Sequence, residues 1–367
     1  MPSDRFPADN IDVEAGNAWT RFWFTPAPTT GLHALRVLAG VLFCAWLLSF
    51  MGHERAFFSL DGWFDKEAYQ EAQRQTVPMA PLGWSILYLA DANTAHSTFL
   101  GLYWSSIAVL VLFTLGVATR ITSVLTWVVV VSFLGNPAIS YEADYLLAIL
   151  AFYLMFAYLL VGHWNGGLTI WEQVLGSPRD LLFGSALFGA SARERPLSYA
   201  ANGVMRLVQL HFAIIIVTSG LHKLQMGDWW AGVALWYPLH PPFLTTAESL
   251  QREAGSAIPT LFVLSLIQYA ALAWQIGFPL FAWRTGWWRG ILLGGALLGW
   301  LGVFFIYKMP LFGPFVMLCS LSYLTPNEWA RLGSFGRQAA SAVPSSKTSA
   351  EPKKSIVLAG NENIKKF

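Results

Sequence analysis

The sequence predicts an all-α, polytopic integral membrane protein with about eight transmembrane helices and long outer loops that contain amphipathic helices. Of its 367 residues, 55% are hydrophobic and only 12% are charged, whereas soluble domains contain about 25% charged residues. The mean hydropathy is +0.48. Stretches of about 20 mostly apolar residues, the length that crosses a bilayer, recur along the chain. Together these observations exclude a soluble globular enzyme and a disordered protein.

The charge balance excludes a further class of protein. The net charge is +2, which is too small to attract a polyanion, so we expect no nucleic-acid partner. Cys44 and Cys319 both lie inside apolar runs, and we interpret them as small core residues rather than as a disulfide.

The apolar stretches define eight predicted spans, numbered in chain order. They are residues 31–51, 96–119, 121–141, 145–164, 202–222, 254–283, 290–307 and 309–326. This pattern predicts a polar N-terminal segment at 1–18, a transmembrane domain at 19–326, and a polar tail at 327–367 that we expect to be unstructured. Residues 1–30 do not have the features of a cleavable signal peptide, so span 1 is expected to be retained.

Lysines and arginines indicate the orientation, because the short cytoplasmic connections of membrane proteins are enriched in them. If the N-terminus is cytoplasmic, the basic tail also lies inside, and every inner connection contains arginine, namely Arg120, Arg179, Arg193, Arg195, Arg284 and Arg289. Both termini are therefore predicted to be cytoplasmic. Two long outer loops result, at about 52–93 and 223–255, and their aromatic content argues against disorder.

Lys223 is the main candidate for chemistry, at the predicted outer end of span 5. It follows His222 directly and precedes Asp228 and Trp229. A lysine held in a desolvating site has a lowered pKa and can act as a base. The alternative is an interfacial lysine whose side chain extends to the lipid headgroups beside tryptophan anchors.

Other polar residues in the spans have simple structural interpretations. Asp144 begins span 4, where the helix dipole favours an acid; a role in a site is equally open. His211 and His222 are three helical turns apart and could share a face, but no third ligand is near, so we predict satisfied core histidines and no metal site. Gln268 and Gln275 lie on one face of span 6, and we expect them to form interhelical hydrogen bonds.

Two further features concern packing and the inner boundary. Arg36 and Arg206 lie about one turn inside the cytoplasmic boundary, and we expect both side chains to extend to the headgroups. Span 7 contains glycines with G-x-x-x-G spacing, which predict a close helix-packing face: Gly290, Gly294, Gly295, Gly299 and Gly302.

Three segments of the chain, residues 116–120, 135–147 and 207–235, together resemble the HTTM (horizontally transferred transmembrane) domain family. That family includes the membrane part of vitamin K-dependent gamma-carboxylases. The third segment is the most specific, and it contains SGLHKL from Ser219 and DWWAGVAL from Asp228. The similarity extends over nearly the whole chain.

The resemblance implies one helical membrane domain with an outward-facing site, in a bacterial cytoplasmic membrane. In the carboxylases, a lysine at the position of Lys223 is the base that deprotonates a reduced quinone, whose reaction with oxygen drives glutamate carboxylation. The chain departs from them in two ways: they have a histidine where Asp144 stands, and a large soluble β-rich region follows their spans. The chain therefore resembles the stand-alone bacterial members of the family.

Two functions from different classes follow from this. The first is a membrane enzyme or accessory protein that acts on a quinone, lipid or peptide at the outer face, with Lys223 as base or cation. The second is a non-catalytic scaffold or maturation partner of another protein, in which Lys223 only anchors span 5. A transporter is a weaker third choice, because no broken-helix pair with facing charges is evident. Beside the candidate base Lys223, the candidate binding residues are His222, Asp144, Tyr145, Asn136, Asp228, Trp229 and His211.

Overall fold

The computed structural model describes residues 17–59, 61–63, 65, 67–68, 71, 85–89, 96–136, 143–160, 197–241, 245–329 and 331–332. The chain divides into two compact units, Met1–Pro326 and Asn327–Phe367. In the second unit, residues 327–329, 331 and 332 are described and are helical. Most of the predicted N-terminal segment and tail, and parts of the first long loop, lie outside the described residues.

The described part of the first unit is built from α-helices. They are α1 (Ala18–Phe24), α2 (Thr30–Leu48), α3 (Glu54–Phe58), α4 (His96–Leu115), α5 (Thr119–Leu134), α6 (Asp144–Leu160), α7 (Tyr199–Leu224), α8 (Gly227–Trp230), α9 (Trp236–Leu239), α10 (Ala247–Phe281), α11 (Trp288–Gly302) and α12 (Phe312–Leu321). A 3-10 helix, Ile86–Leu89, precedes α4, and a π-helical turn, Val303–Tyr307, continues α11. Two short strands, β1 (Ala27–Pro28) and β2 (Leu197–Ser198), pair antiparallel.

Five helical stretches are long and apolar enough to cross a membrane. They are Thr30–Leu48, Thr98–Leu115, Tyr199–Leu224, Ala257–Phe281 and Trp288–Tyr307. Shorter apolar helices occupy Thr119–Leu134, Asp144–Leu160 and Phe312–Leu321, so each predicted span contains an apolar helix. The exposed sides of α10 and α11 present large apolar side chains, including Ile258, Phe262 and Leu298, as expected where helices face lipid.

The apolar helices pack in a closed series. Neighbours along the chain pack on each other from α4 to α7, α7 packs on α10, α10 on α11, and α11 on α12. Helix α12 returns to α2 and also packs on α6 and α7, while α2 packs on α4. The ring of Phe315 in α12 stacks on that of Phe43 in α2, with centroids 6.3 Å apart. The short α12 thus lies at the centre of the bundle, and Cys319 is buried there as a free thiol, as predicted.

The bundle has two ends, which we name by the residues near them. At the Arg36 end, His33 Nδ1 of α2 lies 2.8 Å from the hydroxyl of Tyr158, in the last turns of α6. Helix α7 also starts at this end, because β2 leads into it and pairs with β1 just before α2. Helices α6 and α7 therefore run in opposite directions. The Lys223 end is the other one, where α7 finishes.

Arg36 does not extend to the headgroups, and that prediction is wrong. Its side chain is 1% exposed, and the guanidinium carbon lies 5.5 Å from the centroid of the Tyr158 ring. The aromatic face of Tyr158 draws the cation into the bundle through a cation–π contact. Arg206 also contacts an aromatic ring, but it is only half-buried. Its guanidinium carbon lies 4.5 Å from the centroid of the Phe22 ring of α1.

One buried glutamine joins three helices near the Arg36 end. Gln209 of α7 donates from Nε2 to the carbonyl oxygen of Ser322 at 2.7 Å. Its Oε1 accepts hydrogen bonds from Arg206 Nη1 at 2.9 Å and from Trp283 Nε1 at 3.2 Å. The Tyr323 hydroxyl donates to the backbone carbonyl oxygen of Gln209 at 2.5 Å. This network ties α7 to the ends of α10 and α12 and satisfies polar groups that are buried there.

The glycines of span 7 form a close contact at one position of α11 only. A methyl group at Gly295 would overlap the indole of Trp274 of α10. At the other four glycines of the pattern a Cβ atom would meet no other residue. The predicted continuous packing face is therefore wrong, because a tryptophan side chain rather than a second helix backbone fills the space beside α11.

Helix α10 begins at Ala247, before residue 254 where the sequence predicts its start. Thr246 and Ser249 form a reciprocal capping box: the Thr246 hydroxyl accepts a hydrogen bond from Ser249 N at 3.2 Å, and the Ser249 hydroxyl accepts one from Thr246 N at 3.1 Å. These bonds satisfy backbone donors that otherwise lack partners at a helix start. The helix therefore extends past its apolar part.

Thr246→Ala is expected to destabilise the first turn of α10 by about 1 kcal/mol, because it removes the side-chain acceptor of the cap. Hydrogen–deuterium exchange should become faster for residues 247–250. Thr260→Ala, at an exposed position of the same helix, is the matched control. Equal exchange in the two variants would show that the cap does not hold this turn.

Candidate functional site

The half-buried Lys223 side chain donates hydrogen bonds to two uncharged side chains of the bundle. Its Nζ donates a hydrogen bond to Ser219 Oγ at 2.9 Å and to Gln275 Oε1 at 3.1 Å. Ser219 lies one helical turn earlier in α7, and Gln275 is on α10, so the lysine joins the two helices. The ammonium also lies 5.2 Å from the centroid of the Trp229 ring. These contacts direct the amine away from the end of α7 and against α10.

The position of Gln275 along α10 gives the depth of this amine. The apolar part of α10 runs from Ala257 to Phe281. At 1.5 Å per residue, Gln275 lies about 27 Å along the helix from Ala257 and about 9 Å from Phe281. Lys223 therefore contacts α10 within its apolar part, although it is near the end of α7.

The chain that follows α7 packs along the apolar part of α10. We call Gln225–Pro241 the connecting segment; it contains α8 and α9. Gln268 of α10 is fully buried and forms hydrogen bonds to the backbone of the connecting segment. Its Oε1 accepts from Ala234 N at 3.0 Å, and its Nε2 donates to the Trp229 carbonyl oxygen at 2.5 Å. Irregular backbone is tolerated at membrane depth only where protein or water satisfies its polar groups. The second long loop is therefore partly integrated into the helical bundle.

Two more α10 side chains support the connecting segment. Ser265 Oγ donates to the Gly232 carbonyl oxygen at 2.8 Å, and the Tyr269 hydroxyl donates to the Trp230 carbonyl oxygen at 2.6 Å. Gly232 has φ +77°, and a methyl group there would press against Ser265. Only glycine adopts this conformation so close to another helix without strain. The connecting segment is thus fixed beside Lys223 by named contacts.

The other residues predicted near Lys223 have different environments. Trp229 is half-buried and lies beside the ammonium, whereas His222 and Asp228 are exposed. The Asp228 backbone takes part in the connecting segment, since its carbonyl oxygen accepts from Val233 N at 3.0 Å. The structure therefore brings Trp229, and not the His222 or Asp228 side chain, against Lys223.

Asp144, Tyr145 and Asn136 lie at the same end of the bundle as Lys223. Tyr153 of α6 and His211 of α7 are in contact at mid-height. Because the two helices are antiparallel, Asp144 lies about 13 Å and Lys223 about 18 Å beyond this contact, both toward the same end. Asp144 is half-buried at the first position of α6, as predicted.

The neighbours of Asp144 have separate roles. Tyr145 is 77% exposed, so it faces lipid or water rather than the core. Asn136 is buried, and its Nδ2 donates to the carbonyl oxygen of Phe57, just before the end of α3. Asn136 thus fixes the first long loop to the bundle, which is a structural role that the sequence did not indicate.

His211 is half-buried and has a tyrosine partner, whereas His222 is exposed, so the prediction of a core histidine is wrong for His222. The His211 Nδ1 lies 2.9 Å from the Tyr153 hydroxyl, and the two rings meet edge to face with centroids 5.9 Å apart. Within the described residues, no group of three or more histidine, cysteine or acidic side chains could hold a metal ion.

Two residues of the site were not predicted as part of it. Ser219 is four residues before Lys223, and this helical spacing alone could have indicated a contact. Gln275 was predicted to bond between helices, and the structure confirms this, but its partner depends on how α7 packs on α10. Sequence spacing contains no information on that pairing.

The sequence matches no protein-family model and no curated protein, and the structure matches no solved structure.

Proposed function

We propose that all eight apolar helices lie in the bilayer, with both termini on the cytoplasmic side and the Lys223 end facing outward. The support is the arginine bias of the connections at the opposite end and the close packing of the three shorter helices with the five long ones. The membrane would be the cytoplasmic membrane of a bacterium, as the resemblance to the HTTM family implies.

We further propose that the protein binds a membrane-soluble ligand with an ionisable hydroxyl group, a reduced quinone, at Lys223. One observation supports this most strongly: the lysine amine is directed to Ser219 and Gln275 of the helical bundle rather than beyond the end of α7. An amine that a ligand desolvates at such a position can serve as a base. An enzyme is therefore favoured over a scaffold in which Lys223 is only an anchor.

The residues present fit such a ligand by their chemistry. A reduced quinone has an aromatic ring, two hydroxyl groups and an apolar tail. Trp229 offers a ring for stacking, and the Gln275 amide and Ser219 hydroxyl offer hydrogen-bonding groups on either side of the amine. The exposed apolar face of α10 offers a surface for the tail.

Each residue has a distinct role in this proposal. A reduced quinone supplies an acidic hydroxyl proton and two electrons when it is bound. Lys223 Nζ, in its neutral form, accepts a proton, and as an ammonium it stabilises a nearby anion. Gln275 and Ser219 orient the amine, and Trp229 of the connecting segment lies beside it. Lys223 is thus the candidate base, and Gln275 is a positioning residue.

The proposal is tested with the wild-type protein in nanodiscs. A short-tailed naphthohydroquinone and its oxidised form are titrated separately, and bound ligand is measured after subtraction of protein-free nanodiscs. We expect one saturable site that binds the reduced form at least about tenfold more tightly, because only that form has a hydroxyl proton to share with Lys223. Absence of saturable binding would refute the proposal and favour the scaffold.

A further inference from the structure

Two nitrogens of a buried arginine at the other end of the bundle have no hydrogen-bond partner among the described residues. Arg36 is 1% exposed. Its Nε and Nη2 atoms are fully buried, and neither has a hydrogen-bond partner in the described part of the chain. Buried polar groups are normally hydrogen-bonded, and an unmet guanidinium is costly.

The two unmet nitrogens lie on the same edge of the guanidinium group. In proteins this edge of an arginine can donate two parallel hydrogen bonds to the two oxygens of a carboxylate or phosphate. The chain uses the same edge elsewhere: Arg55 donates from Nε, at 3.0 Å, and from Nη2 to the Asp61 carboxylate. At Arg36 the same edge has the geometry of an anion site.

Further unmet N–H donors lie toward the same end of the bundle. Arg206 Nε and Trp23 Nε1 are buried without a hydrogen-bond partner among the described residues. Tyr158, which covers Arg36, and Arg206 are each about 7.5 Å beyond the Tyr153–His211 contact, toward the Arg36 end. These N–H groups, like those of Arg36, require an acceptor and not another donor.

Two more arginines lie toward the Arg36 end of the bundle. Arg206 is half-buried and Arg289 is buried. A buried cation is stabilised when it is paired and hydrogen-bonded, so this end of the bundle favours an anion over a further cation.

We infer that the Nε–Nη2 edge of Arg36 binds the oxyanion of a phosphate group. The phosphate belongs to a phospholipid headgroup or to a free phosphate, and both have the same two-oxygen chemistry. Because Arg36 is covered, entry of the anion requires neighbouring side chains to move apart. This inference does not depend on the proposed role of Lys223.

The test measures the thermal stability of purified full-length protein in an uncharged, phosphate-free detergent buffer. Inorganic phosphate and a short-chain phosphatidylglycerol are titrated separately into wild type, Arg36→Met and Arg284→Met. Arg284 is an exposed arginine beyond the end of α10 and serves as the matched control. Methionine keeps much of the apolar volume of the arginine stem and removes its charge.

We expect the Tm of wild type and Arg284→Met to rise by several degrees and to saturate, while Arg36→Met shows no saturable rise. A rise with phosphatidylglycerol alone assigns a lipid headgroup, and a rise with inorganic phosphate assigns free phosphate. The inference is overturned if neither probe stabilises wild type, or if Arg36→Met responds as wild type does. If Arg36→Met does not fold, Arg36→Lys, which keeps the charge but removes the edge with two parallel donors, is compared in the same way.

Discussion

Lys223→Met is expected to weaken binding of a reduced quinone at least about 100-fold, which is about 2.7 kcal/mol. The change removes the amine that bonds to Ser219 and Gln275 and lies beside Trp229, while it retains most of the apolar stem. Binding is measured in nanodiscs with a naphthohydroquinone. Lys308→Met, at an exposed lysine in the turn after the π-helical segment, is the control and should bind as wild type does.

Lys223→Arg separates a base from a simple cation. Arginine keeps the positive charge but remains protonated in proteins, so it cannot accept a proton from the ligand. We expect it to retain part of the binding but to lose the preference of the wild type for the reduced over the oxidised quinone, measured by the same nanodisc titrations. An unchanged preference in Lys223→Arg would contradict the role of Lys223 as base and leave it as a cation.

Gln209→Leu is expected to destabilise the bundle by about 3–5 kcal/mol. The substitution leaves the Arg206 guanidinium, the Trp283 indole N–H and the Ser322 carbonyl oxygen without the partner that each has in the folded protein. The cost of breaking a buried hydrogen-bonded charge is of this size. Thermal unfolding in detergent, followed by size-exclusion chromatography, measures the loss.

The control for this prediction is the same substitution at an exposed position. Gln251→Leu lies on the exposed part of α10 and should change stability by less than about 0.5 kcal/mol. If Gln209→Leu were equally mild, α7 would not depend on the Gln209 network for its attachment to α10 and α12.

The sequence predicts the helices well because their signal is local. Long apolar runs separated by short polar connections identify membrane helices without knowledge of their neighbours. Helix α6 begins at Asp144, as predicted from the preference of acids for helix starts. The early start of α10 was missed because Thr246 and Ser249 form a capping box in a stretch that is not apolar.

The contacts of the polar residues were less predictable because they join distant parts of the chain. The residues next to Lys223 in the sequence were enough to identify it as a candidate, but its partner Gln275 lies on another helix. Arg36 was expected to extend to the headgroups, and the Tyr158 ring that draws it inward is on α6. The connecting segment likewise depends on Gln268, whose amide meets backbone groups far away in sequence.

Mass spectrometry of small molecules retained by the purified protein tests whether Lys223 is part of a ligand site. Wild type is compared with Lys223→Ala after identical purification from native membranes. We expect wild type to retain a quinone or another compound with an ionisable hydroxyl group, and Lys223→Ala to lose it. Bulk lipid alone in both samples would refute a ligand site at Lys223 and indicate a membrane scaffold.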